Sequence, residues 1–210
     1  MNTPKSVKSL EEFGRIQLSK SFFMRDFLHS EISQIEKIPN IPDNPDLAVE
    51  AGQALCENVL EPIQDALGRL CIRSAYRSSA VNAKGAENRN QYSCSSNESN
   101  YAGHIWDMKD SDGYIGATAC IVVTSFLPYY EKTGDWQALA WWIHDNVPAY
   151  SSMCFFPKLA AFNISWHQSP IKRIDSYITP RGCLTKPEMA NNNGDHRDLY
   201  HGYFDSLSHS

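Results

Sequence analysis

The sequence predicts an α+β domain, and three observations carry that reading. Apolar residues recur at helical spacing over one long stretch, from Asn44 to Gly68. Short runs rich in β-branched and aromatic residues sit between polar turns. Helices precede and interrupt those runs instead of alternating with them one for one. At 210 residues and 23.7 kDa, the chain has the size of a single domain.

Along the chain, residues 1–17 read as a flexible lead, 18–184 as one domain and 185–210 as a polar tail. Residues 21–32 place Phe22, Phe23, Phe27 and Leu28 on helical spacing, with Ser21 as the cap. Residues 38–45 are rich in proline and predict a connection. The strongest helix follows. Asn44 caps it, Pro45 fits its first turn, and Leu47, Ala51, Leu55, Val59, Ile63 and Leu67 share one face. Pro62 predicts a kink, and Gly68 ends the helix. Residues 70–76 (LCIRSAY) read as a strand, and 78–103, rich in Ser, Asn and Gly, as a long surface loop. Residues 105–108 predict a second strand, and 116–131 and 135–146 two helices. Residues 152–156 and 162–167 predict two further strands.

Composition narrows the function classes. A net charge of −5 and a pI of about 5.8 exclude a generally basic nucleic-acid binder. No apolar run approaches the roughly 18 residues of a membrane span. The longest, around 117–127, is broken by Thr118, Thr124 and Ser125. The first 20 residues carry charges throughout and no apolar core, which predicts no secretory signal. The expected location is therefore cytoplasmic. The six cysteines form no CxxC pair and are expected to be mostly free thiols. Cys56, Cys71, Cys120 and Cys154 lie in apolar stretches, whereas Cys94 lies in a polar run.

Three segments concentrate the chemistry: 74–82 (SAYRSSAVN), 100–107 (NYAGHIWD) and 166–169 (WHQS). Histidines and a carboxylate from separate segments are what a mononuclear zinc hydrolase needs. Three protein ligands hold the ion, and a fourth position activates water. An arginine at a strand end can grip a substrate carboxylate through two parallel hydrogen bonds.

On these segments, with LSKSFFMRDFLHS and the helix ending NVLEPIQDALG, residues 18–169 resemble the zinc D-Ala-D-Ala carboxypeptidases. The likeness is to the phage and plasmid branch of that family, whose fold is shared with the hedgehog signalling domain. The resemblance implies a small antiparallel sheet with flanking helices. It also implies hydrolysis of the terminal peptide bond of D-Ala-ended cell-wall peptides by zinc-bound water. It places Arg77, with Tyr76 beside it, against the peptide's terminal carboxylate. It assigns Zn²⁺ to Asp107 and His167, with His104 as the nearest available third ligand. A phage-encoded protein released without a signal peptide fits that reading as well as a cytoplasmic one.

Two departures qualify it. The family has a histidine seven residues before the aspartate, where Asn100 stands here. A neutral amide oxygen is a poor zinc ligand. The family's catalytic glutamate lies on a strand shortly before the second histidine, and SMCFFPK at 152–158 holds no carboxylate. Zinc-bound water without a nearby base loses roughly 10²–10⁴ in rate. Glu87 and Glu98, in the long loop, are the candidates to substitute, and no spacing supports either. The double loss also fits a peptidase-fold binding or structural module without catalysis, and a rebuilt pocket fits a metal-dependent hydrolase of another substrate. Each residue also has a plainer role: Arg77 pairing a carboxylate, Asp107 capping a turn, His167 packed between Trp166 and Gln168. His144 reads as a partly buried histidine paired with local carboxylates. His196, His201 and His209 read as solvated tail residues, and Trp136, Trp141 and Trp142 as core or partner surface.

Overall fold

A computed structural model describes residues 1–87 and 92–207. Six strands form one mixed, mostly antiparallel sheet: β1 (Leu70–Ser74), β2 (Gly116–Val123), β3 (Tyr150–Phe155), β4 (Phe162–His167), β5 (Arg173–Ser176) and β6 (Gly182–Thr185). Their spatial order is β1-β2-β4-β3-β5-β6, with β3 and β5 the parallel pair. Seven helices are present among the described residues: α1 (Val7–Gly14), α2 (Glu31–Glu36), a long composite α3, α4 (Ser79–Glu87), α5 (Leu127–Thr133), α6 (Gln137–Asn146) and α7 (Arg197–Leu207). The predicted α+β class is thus observed, with a larger and mixed sheet.

Helix α3 runs as Pro45–Leu55, a π turn over Cys56–Leu60, and Glu61–Leu67. Asn44 caps it by accepting from the Leu47 N–H, and Gly68 ends it at φ 83°. The π turn comes just before Pro62, whose missing N–H and bulky ring disturb the preceding turn. Within it the Asn58 amide donates to the Ala54 carbonyl at 2.9 Å, so that carbonyl has a partner. Leu55, Cys56, Val59, Leu60 and Ile63 are fully buried, and α3 packs across β2 and β4.

Strand alternation splits the sheet into two unlike faces. Ala117, Ala119, Ile121, Phe162, Ile164, Met153 and Phe155 point into the core under the helices. Their neighbours Thr118, Asn163, Ser165, His167, Ser152 and Cys154 share the opposite face, because cross-strand partners lie on one side. This polar face carries the candidate site.

Several segments differ from expectation. Residues 1–17 are not a structureless lead: Ser6 and Ser9 form a reciprocal capping box that starts α1, and Phe13 is buried in the core. The helix expected over 21–32 divides into a 3₁₀ turn, Met24–Phe27, and α2. Part of the loop at 78–103 is α4, and residues 105–108 are turns rather than a strand. Residues 116–131 divide into β2 and α5, since GATACIVV reads equally as a buried strand. The polar tail folds back as α7, with Tyr203 fully buried against Phe126 and Phe204. His209 lies outside the described residues. No helix among the described residues is long and apolar enough to cross a membrane.

Candidate functional site

A cleft of about 480 Å³ opens on the polar face of the sheet. Thr118, Ser152, Cys154, Asn163, Ser165 and His167 form its floor, and the turns at 99–104 and 110–114 form its walls. Close approach of backbone to backbone shapes one end. The Ala102 carbonyl lies 2.2 Å from where a Cβ on Gly116 would stand, so only glycine fits there.

His104 and His167 both line the cleft but differ in what their rings are doing. The His104 Nδ1–H donates to the Ala75 carbonyl at 2.7 Å, which leaves Nε2 as the nitrogen with a lone pair. Burial, reinforced by the nearby Arg77 charge, pushes its pKa down to about 3, so the ring is neutral at ordinary pH. His104 therefore offers the cleft a hydrogen-bond acceptor and not a proton store. The His167 ring is held at both ends. Nε2–H donates to Asp110 Oδ2 at 3.0 Å, and Nδ1 lies against the backbone of Ser169. Desolvation acts to raise the Asp110 pKa, but N–H donors from Tyr114 and Asp112 and the His167 ring outweigh it and leave it lowered.

Asp107 is not in the cleft. Its Oδ2 accepts the N–H groups of Asp43 and Asn44 at 2.7 and 3.3 Å, and its Oδ1 accepts the Tyr76 hydroxyl at 3.1 Å. It is 2% exposed and ties the entry of α3 to the end of β1, and burial raises its pKa despite these bonds. Tyr76 is fully buried and packs edge-on against Trp106, so it meets no ligand. Arg77 is also absent from the cleft lining. Its Nη1 donates to Cys94 Sγ at 3.0 Å and its Nη2 to Asn100 Oδ1 at 3.4 Å, while its Nε has no partner. Burial lowers its pKa. The Asn100 amide completes this arrangement by donating to the Ser95 and Ser96 carbonyls. The residue in the expected histidine position is thus a structural amide that anchors Arg77.

The expected zinc ligands consequently do not converge. Among the described residues, the group of three His, Cys, Asp or Glu whose ligand atoms all lie within 4.8 Å of one another is His144, Asp145 and His196. That group can hold a metal ion; His104, Asp107 and His167 form no such group. The two glutamates expected as substitute bases are not in the cleft, whose carboxylates are Asp110 and Asp112. Glu87 pairs with Lys84 at the end of α4, Glu98 is exposed, and neither lines the cleft.

Sequence reasoning missed Asp110, whose partner His167 is 57 residues away. It also missed His196, which is buried rather than solvated: its Nδ1 meets Asp145 Oδ1 at 2.6 Å, and its ring stacks on Trp141 at 4.1 Å. His201 remains on the surface beside Asp205. The free-thiol expectation fits all six cysteines, including buried Cys94.

No family model matches the chain, and neither does any curated protein or solved structure.

Proposed function

We propose that the chain is a non-catalytic binding module of peptidase-like topology, whose cleft takes a short uncharged or basic peptide segment. The observation that carries this reading is the charge of the cleft. Asp110 and Asp112 are its charged side chains, and no lysine or arginine lines it among the described residues. A ligand ending in a carboxylate would face repulsion there and find no bidentate partner, because Arg77 is engaged with Cys94 and Asn100. Amide groups suit the site better. The Asn163 amide, the paired hydroxyls of Ser152 and Ser165 (2.7 Å apart) and His104 Nε2 supply both donors and acceptors.

The zinc implied by the family resemblance does not fit this cleft, so no hydrolytic step is derived through it. Cell-wall peptide remains a candidate ligand in its amidated or internal form. Calorimetry with the full chain tests the proposal, using matched short peptides that end in D-Ala-D-Ala as the free acid or the amide. The amide form is expected to bind about tenfold tighter, the equivalent of roughly 1.4 kcal/mol. His104→Ala is expected to weaken the amide form. Preferential binding of the free acid, or its zinc-dependent release of D-Ala, would overturn the proposal.

A further inference from the structure

Where the C-terminal end of α6 meets the entry to α7, we infer that His144, Asp145 and His196 form a binding site for one divalent transition ion of the zinc type. The ion would staple the C-terminal segment to the domain. The site is separate from the cleft and independent of the function proposed for it.

The donor set points to such an ion. Two imidazoles and one carboxylate, all within 4.8 Å of one another, suit zinc, cobalt or nickel, whereas calcium and magnesium prefer all-oxygen sites. The surroundings are those that metal-bound histidines normally have. A ligating ring usually gives its second nitrogen to a carbonyl or carboxylate, which fixes the ring's orientation. Here His144 Nε2 meets the Asn192 carbonyl at 2.9 Å, and His196 Nε2 meets the Asn191 carbonyl at 3.0 Å. His144 Nδ1 meets the Tyr150 hydroxyl, and Asp145 Oδ2 accepts the backbone N–H of His196 at 3.0 Å. A cation taking one nitrogen from each ring and one oxygen of Asp145 leaves each side chain a second partner already in place. The end of α6 adds the negative pole of a ten-residue helix. Lys172, 4.3 Å over the Tyr150 ring, supplies the opposing charge.

The ligands also bridge elements. His144 and Asp145 belong to α6, and His196 immediately precedes α7. An ion bound only in the folded state raises the melting temperature and holds residues 190–207 in place.

The full chain, stripped with chelator, is titrated with Zn²⁺ or Co²⁺ and followed by metal content, melting temperature, limited trypsin digestion and the cobalt spectrum. The expected result is one ion per chain and a melting temperature higher by about 5–10 °C at a hundredfold excess over Kd. Cleavage after Arg197 should slow. The cobalt spectrum should lack a thiolate charge-transfer band, which separates this site from the six cysteines. His196→Gln, chosen to keep a hydrogen-bonding side chain, and His144→Ala should each abolish the shift, whereas His167→Ala should retain it. No stoichiometric ion in the parent chain, a thiolate band, or an ion retained by folded His196→Gln would overturn the inference. Loss of the ion in His167→Ala but not His196→Gln would do so too, and would return the metal to the cleft.

Discussion

The cleft and the α6–α7 junction each bring histidines and aspartates together, but they spend those groups differently. On the sheet face the polar side chains come from alternating positions of strands whose other face is core. They are spread over a surface, and His104 keeps a free ring nitrogen. At the junction the same residue types close on one another, each ring nitrogen meeting an oxygen within the chain. Two histidines beside a carboxylate therefore do not by themselves define one kind of site. What separates a surface that receives a peptide from a junction suited to an ion is whether the donor atoms are spread over a face or converge within 4.8 Å of one another.

That contrast can be broken most severely at the cleft wall. Gly116→Val places a branched side chain against the Ala102 carbonyl, and a loss of about 3–5 kcal/mol is expected in denaturant unfolding. The junction lies elsewhere in the fold, so the zinc-dependent shift should survive in whatever fraction still folds. Next in size is Asp107→Ala, which strips the acceptor from two N–H groups and the Tyr76 hydroxyl. About 3 kcal/mol is expected, and Asp107→Asn should recover part of it. A loss of metal content without a loss of stability would restore Asp107 as a ligand.

Acid sharpens the comparison. His104 is neutral in the folded protein down to about pH 3, whereas an unfolded histidine takes up its proton near 6.5. Between those values the unfolded state binds the extra proton, so stability falls as pH drops from about 6.5 towards 3. The loss is on the order of a few kcal/mol. His104→Gln should flatten that limb in pH-dependent melts, and an unchanged limb would mean that His104 is not what acid attacks. The smallest effect belongs to Asp110→Asn, a minor loss of stability, because the pair is partly exposed. Its clearer signature should be a changed imidazole nitrogen spectrum for His167 with His104 undisturbed.

The elements legible in the sequence were those whose signals are local. Helix α3 carried its own cap, apolar stripe and terminating glycine, and β4 its alternation of Phe162, Ile164 and Trp166 with polar residues. Residues 116–123 were ambiguous because a buried strand is apolar on successive positions and so has no period to read. Helix α1 was missed since its cap uses serine at both ends of the box, where glutamate or glutamine is the usual partner. In the tail, Tyr200, Tyr203 and Phe204 stand at helical spacing, a signal masked by the polar residues around them. The site was less legible than the fold. Asp107, Arg77 and Asn100 lie where a metallopeptidase pattern wants them. Their partners Asp43, Asn44 and Cys94 come from distant segments, and those long-range bonds decide that the three are structural.

The π turn in α3 sets a length that the rest of the molecule depends on. It acts as a single inserted residue, and an α-helix turns by about 100° per residue. Straightening Cys56–Leu60 into regular α-helix with no residue removed would therefore leave the last two turns facing the wrong way. Glu61 would swing away from Ser19 and Ser21, which it now binds, and Ile63 and Leu67 would leave the core. Substitutions along this helix can be absorbed one side chain at a time, whereas losing the π turn at unchanged length would shift the frame of every contact beyond it.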